Sequence, residues 1–296
     1  MNLKKPILLK LFATLFACTS IILFSPARAD DSATLVFSAI PDQDESQLKA
    51  RFNKIAEYLS DTLEIPVEYV PVKSYAAAVT SFRNNQLQLA WFGGLSGVRA
   101  RLLTPGSEAI AQGEEDPEFH TYLIAHQSTG LKRTDDFPKD IAGKSFTFGS
   151  KGSTSGRLMP EHFIRESLGE SPDDLFEVVG FSGNHSRTVA LVESGAYEVG
   201  AVNFKVWDKM VEENKVDTSK VSVIWKTPPY PDYQWTIRGD VDSVWGEGFS
   251  DKVQQALLKM DDPELLATFP RKGFIDASND DYQPIEDTAK ALGLIN

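Results

Sequence analysis

The sequence predicts a mixed α/β fold with two lobes joined by two extended crossings. Segments typical of strands alternate with segments typical of helices, which favours mainly parallel sheets with helices on their faces. Extended, polar or proline-rich pieces interrupt this alternation near residues 126–130 and 226–235. A chain that crosses twice between two halves can hinge, and ligands favour the cleft between such halves.

Residues 1–29 have the pattern of a secretory signal peptide and are excluded from the fold. Three lysines precede an apolar run, and Ala27-Arg-Ala29 supplies a cleavage site. Lipid attachment at Cys18 is the less favoured alternative, because Phe16 is bulky for such a site and more apolar sequence follows the cysteine. We therefore expect a periplasmic protein.

Composition excludes several classes of function. Cys18 is the only cysteine, so a chain cut after Ala29 has no disulfide, thiolate zinc site or cysteine nucleophile. The net charge is −12, and the leader contains four basic residues and no acid, so the remainder carries −16. Such an acidic protein is a poor candidate for binding nucleic acid. We expect a monomer in which any anion is held by local donors.

The first half alternates strands and helices, starting directly after the leader. Strand patterns fall at 34–38, 67–70, 87–92, about 110 and 122–125. Helical spacing is clearest for Leu48, Phe52, Ile55 and Leu59, and Ser74 is predicted to cap a second helix. We assign residues 30–127 and 232–296 to lobe 1, with the last fifty or so residues largely helical.

The second half repeats this order, and we assign residues 128–231 to lobe 2. Strand patterns fall at 145–148, 177–181, 199–202 and 221–225. Helices are predicted from Ser155 to Gly169, at 185–193 and at 206–211.

Three consecutive hydroxyl residues, Ser153, Thr154 and Ser155, stand where a strand and a glycine-rich turn lead into a helix. The first N–H groups of a helix are unpaired and carry a partial positive charge, so hydroxyls placed there can surround an oxyanion. The competing interpretation is an ordinary helix cap, because serine and threonine begin many helices that bind nothing. His185 follows the next predicted strand and begins a helix in the same way, so it could donate to the same anion.

Catalytic and cofactor templates do not fit. A P-loop would need a glycine where Pro138 stands, and Gly152-Ser-Thr-Ser-Gly156 places Thr154 at the nucleophile position of a hydrolase elbow. The four histidines show no metal-binding spacing. We expect no cofactor and no metal. A periplasmic hydrolase or transferase acting on phosphate esters is the alternative function.

Aromatic residues lie at predicted strand ends, crossings and turns, where they could line a cleft, although most aromatic residues belong to cores. They are Tyr75, Trp91, Phe92, Tyr230, Tyr233 and Trp235.

Six ordered motifs together resemble the phosphate/phosphite/phosphonate-binding periplasmic proteins of ABC importers. They are Ala39-Ile-Pro-Asp-Gln-Asp, Tyr75-Ala-Ala-Ala-Val, Ala90-Trp-Phe-Gly-Gly-Leu-Ser, Gly149-Ser-Lys-Gly-Ser-Thr-Ser-Gly, Ser182-Gly-Asn-His and Gly200-Ala-Val. Within that family, residues 91–100 and 227–235 look most like a branch described as selenate-binding. The resemblance implies a type II periplasmic-binding-protein fold with two Rossmann-like lobes, and delivery of the ligand to a membrane permease.

The resemblance also implies that Ser153, Thr154, Ser155 and His185 hold the oxyanion, with Tyr75 on the facing lobe. Two departures favour a small ligand without an organic tail. Gly97 stands where phosphonate binders usually carry a tyrosine, and the matching segments offer at most one acid, Asp232. Phosphate and phosphonates are partly protonated near neutral pH and favour a site with an acceptor, whereas selenate and sulfate need donors only. Whether Asp232 or the second nitrogen of His185 supplies that acceptor stays open at this point.

Overall fold

Two β-sheets with helices packed on them form the structure, a computed structural model that describes residue 1, residues 33–269 and residues 271–295. The predicted cleavage site and Cys18 lie outside these residues, as does nearly all of the predicted leader. None of the helices in the described ranges has the length and apolar content that a bilayer span requires.

The strands alternate with helices, as the sequence predicts. The strands are β1 (Leu35–Ala39), β2 (Val67–Tyr69), β3 (Leu89–Phe92), β4 (Glu108–Gly113), β5 (Thr121–His126), β6 (Ser145–Phe148), β7 (Val178–Phe181), β8 (Val199–Asn203), β9 (Val221–Lys226), β10 (Gln234–Ile237) and β11 (Phe274–Asp276). The helices are α1 (Glu45–Leu63), α2 (Tyr75–Arg83), α3 (Gly94–Leu103), α4 (Met159–Leu168), α5 (Pro172–Leu175), α6 (His185–Glu193), α7 (Phe204–Glu212), α8 (Asp242–Trp245), α9 (Phe249–Leu258), α10 (Pro263–Thr268) and α11 (Gln283–Ala291).

Local sequence signals account for the ends and faces of several helices. Helix α1 buries Leu48, Phe52, Ile55 and Leu59, which confirms the predicted apolar face. Ser74 caps α2 by accepting a hydrogen bond from the backbone N–H of Ala77 at 3.1 Å.

The first sheet has the strand order β11-β4-β10-β3-β1-β2, and the second has the order β7-β6-β8-β5-β9. Strands β1, β2 and β3 pair in parallel, as do β6, β7 and β8. Antiparallel pairing enters through β10 in the first sheet and β5 in the second. The predicted type II arrangement of two α/β lobes is thus confirmed.

The placement of β5 corrects one prediction. The strand pattern at 122–125 is predicted to belong to the first half, but β5 lies between β8 and β9 in the second sheet. An apolar strand satisfies either sheet, so its sequence does not show which sheet it joins. A backbone bridge pairs Phe119 with Tyr230, so the two crossings lie side by side. The lobe limits at 127 and 231 stay a prediction, and the position of β5 favours an earlier first crossing.

The C-terminal region is less uniformly helical than predicted. Strand β11 lies within it and pairs antiparallel with β4, from Phe274 opposite Gly113 to Asp276 opposite Ala111. Three residues are too few for strand periodicity to be recognised beside the helical spacing of α9. The strand covers the edge of β4 and places Arg271 inside the first lobe.

A buried ion pair joins this C-terminal region to the turn after β4. The guanidinium of Arg271 donates to both carboxylate oxygens of Asp116, from Nε to Oδ2 and from Nη2 to Oδ1, each at 2.8 Å. Asp116 is fully buried, and its Oδ2 also accepts the N–H of Gly113 at 2.9 Å. The backbone carbonyl of Asp116 accepts the N–H of Asp232 at 3.1 Å. The pair therefore supports the segment that carries a predicted site residue.

We expect Asp116→Asn to lower the free energy of unfolding by about 3–5 kcal/mol, because it leaves a buried cation without its counter-charge. Glu45→Gln is the matched control, since Glu45 pairs with Lys73 and both side chains are exposed, at 63% and 81%. An exposed pair contributes about 1 kcal/mol or less. Urea unfolding of both variants measures the difference, and equal losses would contradict the role assigned to the Asp116 pair.

Candidate functional site

Two neighbouring parallel strands of the second sheet each lead into a helix start at the same edge of that sheet. After β6, Ser153 caps a one-turn π-helix, Thr154–Leu158, that continues into α4. After β7, Asn184 caps α6, whose first residue is His185. Parallel strands have their carboxyl ends at one edge, so the two starts meet. A methyl group at Gly156 would come within 3.1 Å of His185 Cε1, which shows how closely the two helix starts pack together.

Four buried polar atoms of predicted site residues lack a hydrogen-bond partner within the described ranges. They are Tyr75 OH, Ser155 Oγ, His185 Nε2 and Asp232 Oδ2, on residues that are at most 2% exposed. Buried polar atoms are paired in most native structures, so each exception calls for an explanation. A ligand with several oxygen atoms would satisfy them together.

Hydrogen bonding determines which nitrogen of His185 is a donor. The backbone N–H of Asn203 donates to Nδ1 at 3.2 Å, so Nδ1 is the unprotonated nitrogen and Nε2 carries the hydrogen. Burial lowers the pKa of His185 to about 3, so the ring is neutral at physiological pH. His185 therefore offers the site an N–H donor, and its second nitrogen is already occupied.

Asp232, one of the two candidate acceptors, keeps one carboxyl oxygen without a partner among the described residues. Its Oδ1 accepts the N–H of Gly94, in the first turn of α3, at 2.9 Å, while Oδ2 is one of the four unpartnered atoms. Burial raises the pKa of Asp232 to about 7, against the lowering effects of the Thr154 hydroxyl and the Gly94 N–H. Near neutral pH the group can accept a hydrogen bond or hold a proton and donate one.

The start of α3 also contacts the hydroxyl triplet directly. The backbone N–H of Leu95 donates to Thr154 Oγ1 at 3.0 Å, which links the first sheet to the second. A methyl group at Gly93 would lie 3.0 Å from Asp232 Oδ1 and 3.4 Å from Thr154 Oγ1. The glycine permits this close approach of the backbone to both side chains.

Tyr75, the first residue of α2, closes the cleft from the first lobe. Burial raises the pKa of Tyr75 well above its ordinary value, so the phenol stays a neutral hydroxyl donor. The charge of Asp232 lies close enough to contribute to that shift. A methyl group at Gly152 would meet Tyr75 Cβ at 3.0 Å, so the turn before the hydroxyl triplet packs against this tyrosine.

Trp91 and Phe92 belong to an aromatic core around the site. Trp91 stacks on Tyr233 with ring centroids 5.5 Å apart, and Phe92 packs edge-on against Phe82 at 5.6 Å. Adjacent strand residues point to opposite faces of β3. Direct contact of either ring with a ligand stays a prediction.

A lobe-bridging network contains two polar groups to which the sequence analysis gave no role. Tyr233 OH donates to Asp42 Oδ2 at 2.8 Å and accepts from Asn203 Nδ2 at 2.9 Å. The carbonyl of Asp42 accepts the N–H of His185 at 2.9 Å. Asp42 follows β1 and Asn203 ends β8, so the rule that sites form at the carboxyl ends of parallel strands could have found both.

The presence of glycine at position 97 is explained by the side chain of Gln234, which lies in β10 of the first sheet. A methyl group there would lie 2.5 Å from Gln234 Nε2, so the Gln234 side chain fills the space that a larger residue would need.

Comparisons with known proteins show which family the chain resembles. The sequence profile of a family described as "ABC transporter, phosphonate, periplasmic substrate-binding protein" matches residues 37–282. The chain is 40% identical over 290 residues to a probable ABC transporter phosphite binding protein, PhnD1, of Prochlorococcus marinus, with 95% of this chain and 98% of that protein covered. It is 24% identical to the phosphonates-binding periplasmic protein of Escherichia coli, over 89% of this chain and 77% of that protein.

Solved structures show the same fold. PhnD1 of Prochlorococcus marinus in complex with methylphosphonate matches with a TM-score of 0.85 at 40% identity, covering 88% of this chain and 99% of that one. A binding protein component of a phosphonate transporter from Pseudomonas aeruginosa matches with a TM-score of 0.77 at 19% identity, covering 87% and 86%.

The fold and the cleft are those of a periplasmic substrate-binding protein of an ABC importer. More particularly, the chain belongs to the phosphonate-binding family of these proteins. It is the component that binds substrate for a membrane permease and is not an enzyme, which sets aside the hydrolase or transferase alternative.

Two site residues should affect stability with opposite dependence on pH. Neutral His185 has a native pKa of about 3, below its unfolded value, so its contribution falls as pH decreases below about 6.5. Asp232 has a native pKa of about 7, above its unfolded value, so its contribution falls as pH rises from about 4 to 7. Between pH 5 and 7 each effect amounts to about 2 kcal/mol.

Urea unfolding at pH 5 and pH 7 tests this with His185→Gln and Asp232→Asn. Relative to His185→Gln, the wild type should gain about 2 kcal/mol from pH 5 to pH 7, and relative to Asp232→Asn it should lose about as much. Differences of the same sign for both variants would contradict the assigned protonation states.

Proposed function

We propose that this protein captures a small tetrahedral phosphorus oxyanion, namely phosphite, methylphosphonate or phosphate, and delivers it to its permease. The observation that carries the proposal is the pairing of neutral donors with one carboxyl group whose pKa is about 7. Tyr75, Ser155 and His185 donate to the anion, and Asp232 exchanges a proton with it. The 40% identical relative described as phosphite-binding, and solved with methylphosphonate, supports this ligand class.

The protonation states of the ligands and of Asp232 favour phosphorus oxyanions over selenate and sulfate. A partly protonated ligand can donate its P–O–H to the Asp232 carboxylate, or bind fully ionised while Asp232 holds the proton. Selenate and sulfate carry no proton near neutral pH, so they bind only when Asp232 is protonated. A buried carboxylate facing an anion without a shared proton is unpaired, which is costly. Binding of selenate, suggested by the sequence resemblance, stays a prediction.

The remaining roles are inferred from the sequence and the fold together. Ser153 and Thr154 shape the pocket, with Ser153 Oγ engaged by the N–H of Gly156 at 2.9 Å and Thr154 Oγ1 by Leu95. Trp91 and Phe92 would support the wall behind it. We further infer export by the leader at 1–29, action as a monomer, and no binding of nucleic acid, in keeping with the strongly acidic composition.

Isothermal titration calorimetry of the mature protein tests the ligand class. Phosphite, methylphosphonate and phosphate should bind with one site, and selenate and sulfate should bind more weakly at pH 8 than at pH 6. Asp232→Asn should abolish that pH dependence for sulfate, because the amide neither titrates nor repels the ionised ligand. Absence of heat with all five anions would refute the proposal.

Ser155→Ala should weaken phosphite binding by about 1–3 kcal/mol, or roughly 5- to 150-fold, because it removes one charge-assisted hydrogen bond. Ser171→Ala is the control, since that hydroxyl also stands at a helix start but bonds Asp174. Equal affinities for the two variants would show that the hydroxyl of Ser155 does not bond to the ligand.

A further inference from the structure

A groove with a volume of about 490 Å³ lies along the seam between the lobes. Its walls come from α2 and α3 on one side and from the turns after β6 and β7 on the other. Tyr75 and Gly152 line it, and these are the two residues that pack against each other at the edge of the buried site. The groove therefore borders the site at the point where the lobes meet.

The charges in this groove are of one sign. Arg99 and Lys151 line it, and none of the described residues lining it is an aspartate or glutamate. The groove beside α1 and α9, by contrast, contains Glu64 and Asp251 with its lysines. A groove that is purely cationic runs against the overall composition, because the chain without its leader has a net charge of −16.

The position of Lys151 is held by an aromatic ring. Its Nζ lies 4.9 Å from the centroid of Phe181, which is 38% exposed at the groove wall. A cation over a ring face is attracted by the ring quadrupole, so the ammonium stays at the rim while remaining exposed. On the opposite wall, Arg99 donates from Nη2 to the carbonyl of Leu294 at 2.9 Å.

We propose that this groove is the entry vestibule for the anion, in which Lys151 and Arg99 attract the ligand before the lobes close between Tyr75 and Gly152. The inference rests on the proposed function, because it requires an anionic ligand. The donors in the buried site are uncharged, and the overall field of the protein repels anions. Local cations at the opening of a cleft raise the local concentration of an anion and its association rate.

The rate at which the ligand arrives and the strength with which it is held depend on different residues. Lys151 lies outside the buried site, so it should affect how fast the ligand arrives and not how strongly it is held. Exposed charges act over about 30 Å at 10 mM salt and about 8 Å at physiological salt. The effect of Lys151 should therefore be large at low salt and small at high salt.

Stopped-flow fluorescence with phosphite as the probe measures both rates for Lys151→Glu. The association rate constant should fall about 3- to 10-fold at 10 mM salt, with the dissociation rate unchanged and the difference disappearing near 0.5 M salt. Lys252→Glu is the matched control, because it makes the same change in net charge in the groove beside α1 and α9. Its association rate should stay close to the wild-type value.

Equal association rates for Lys151→Glu and Lys252→Glu would overturn the vestibule, as would a change confined to the dissociation rate. Calorimetry on the same samples separates this failure from that of the proposed function. If wild type binds phosphite with one site but the two variants associate equally fast, the vestibule alone is refuted. If wild type gives no heat with phosphite, methylphosphonate or phosphate, both inferences fail.

Discussion

The buried ion pair between Arg271 and Asp116 supports both the crossing segments and the site. The guanidinium lies 5.2 Å from the ring of Tyr233 and 5.6 Å from that of Trp91, so the cation and the aromatic core stabilise each other. The backbone of Asp116 holds the N–H of Asp232. A single charged contact thus positions Asp232 and the tyrosine that bridges the lobes.

None of the described residues predicted for the pocket is a lysine or arginine, and this determines how the protein can hold an anion. The unpartnered groups are two hydroxyls, a neutral imidazole N–H and one carboxyl oxygen. Neutral donors bind an anion with a smaller desolvation cost than lysine or arginine side chains would incur. Under the proposed function, the carboxyl group of Asp232, whose pKa is about 7, makes binding depend on a proton shared with the ligand. The positive charges of Arg99 and Lys151 lie outside the buried site, in the groove at the seam between the lobes.

Sequence patterns located about half of the cleft. The strand-to-helix transitions at Ser153 and His185 were recognisable because caps and strand ends have local signals, and parallel strands bring such transitions to one edge. Asp42, Asn203 and Tyr233 join the cleft through partners far along the chain, so their positions at strand ends and in a crossing do not show that they interact. The sheet that β5 joins was mispredicted for the same reason, because strand pairing is a long-range contact.

The sequence by itself determined the class of the protein. Its secondary-structure elements, helix starts and family motifs depend on local sequence patterns, and its acidic character follows from the overall composition. Only the tertiary structure decided the chemistry of the pocket. The Asn203 N–H assigns the proton on His185, and complete burial raises the pKa of Asp232 to about 7 despite the N–H that Gly94 donates to it. Protonation states depend on the surroundings of a group, and those surroundings exist only when distant segments pack together.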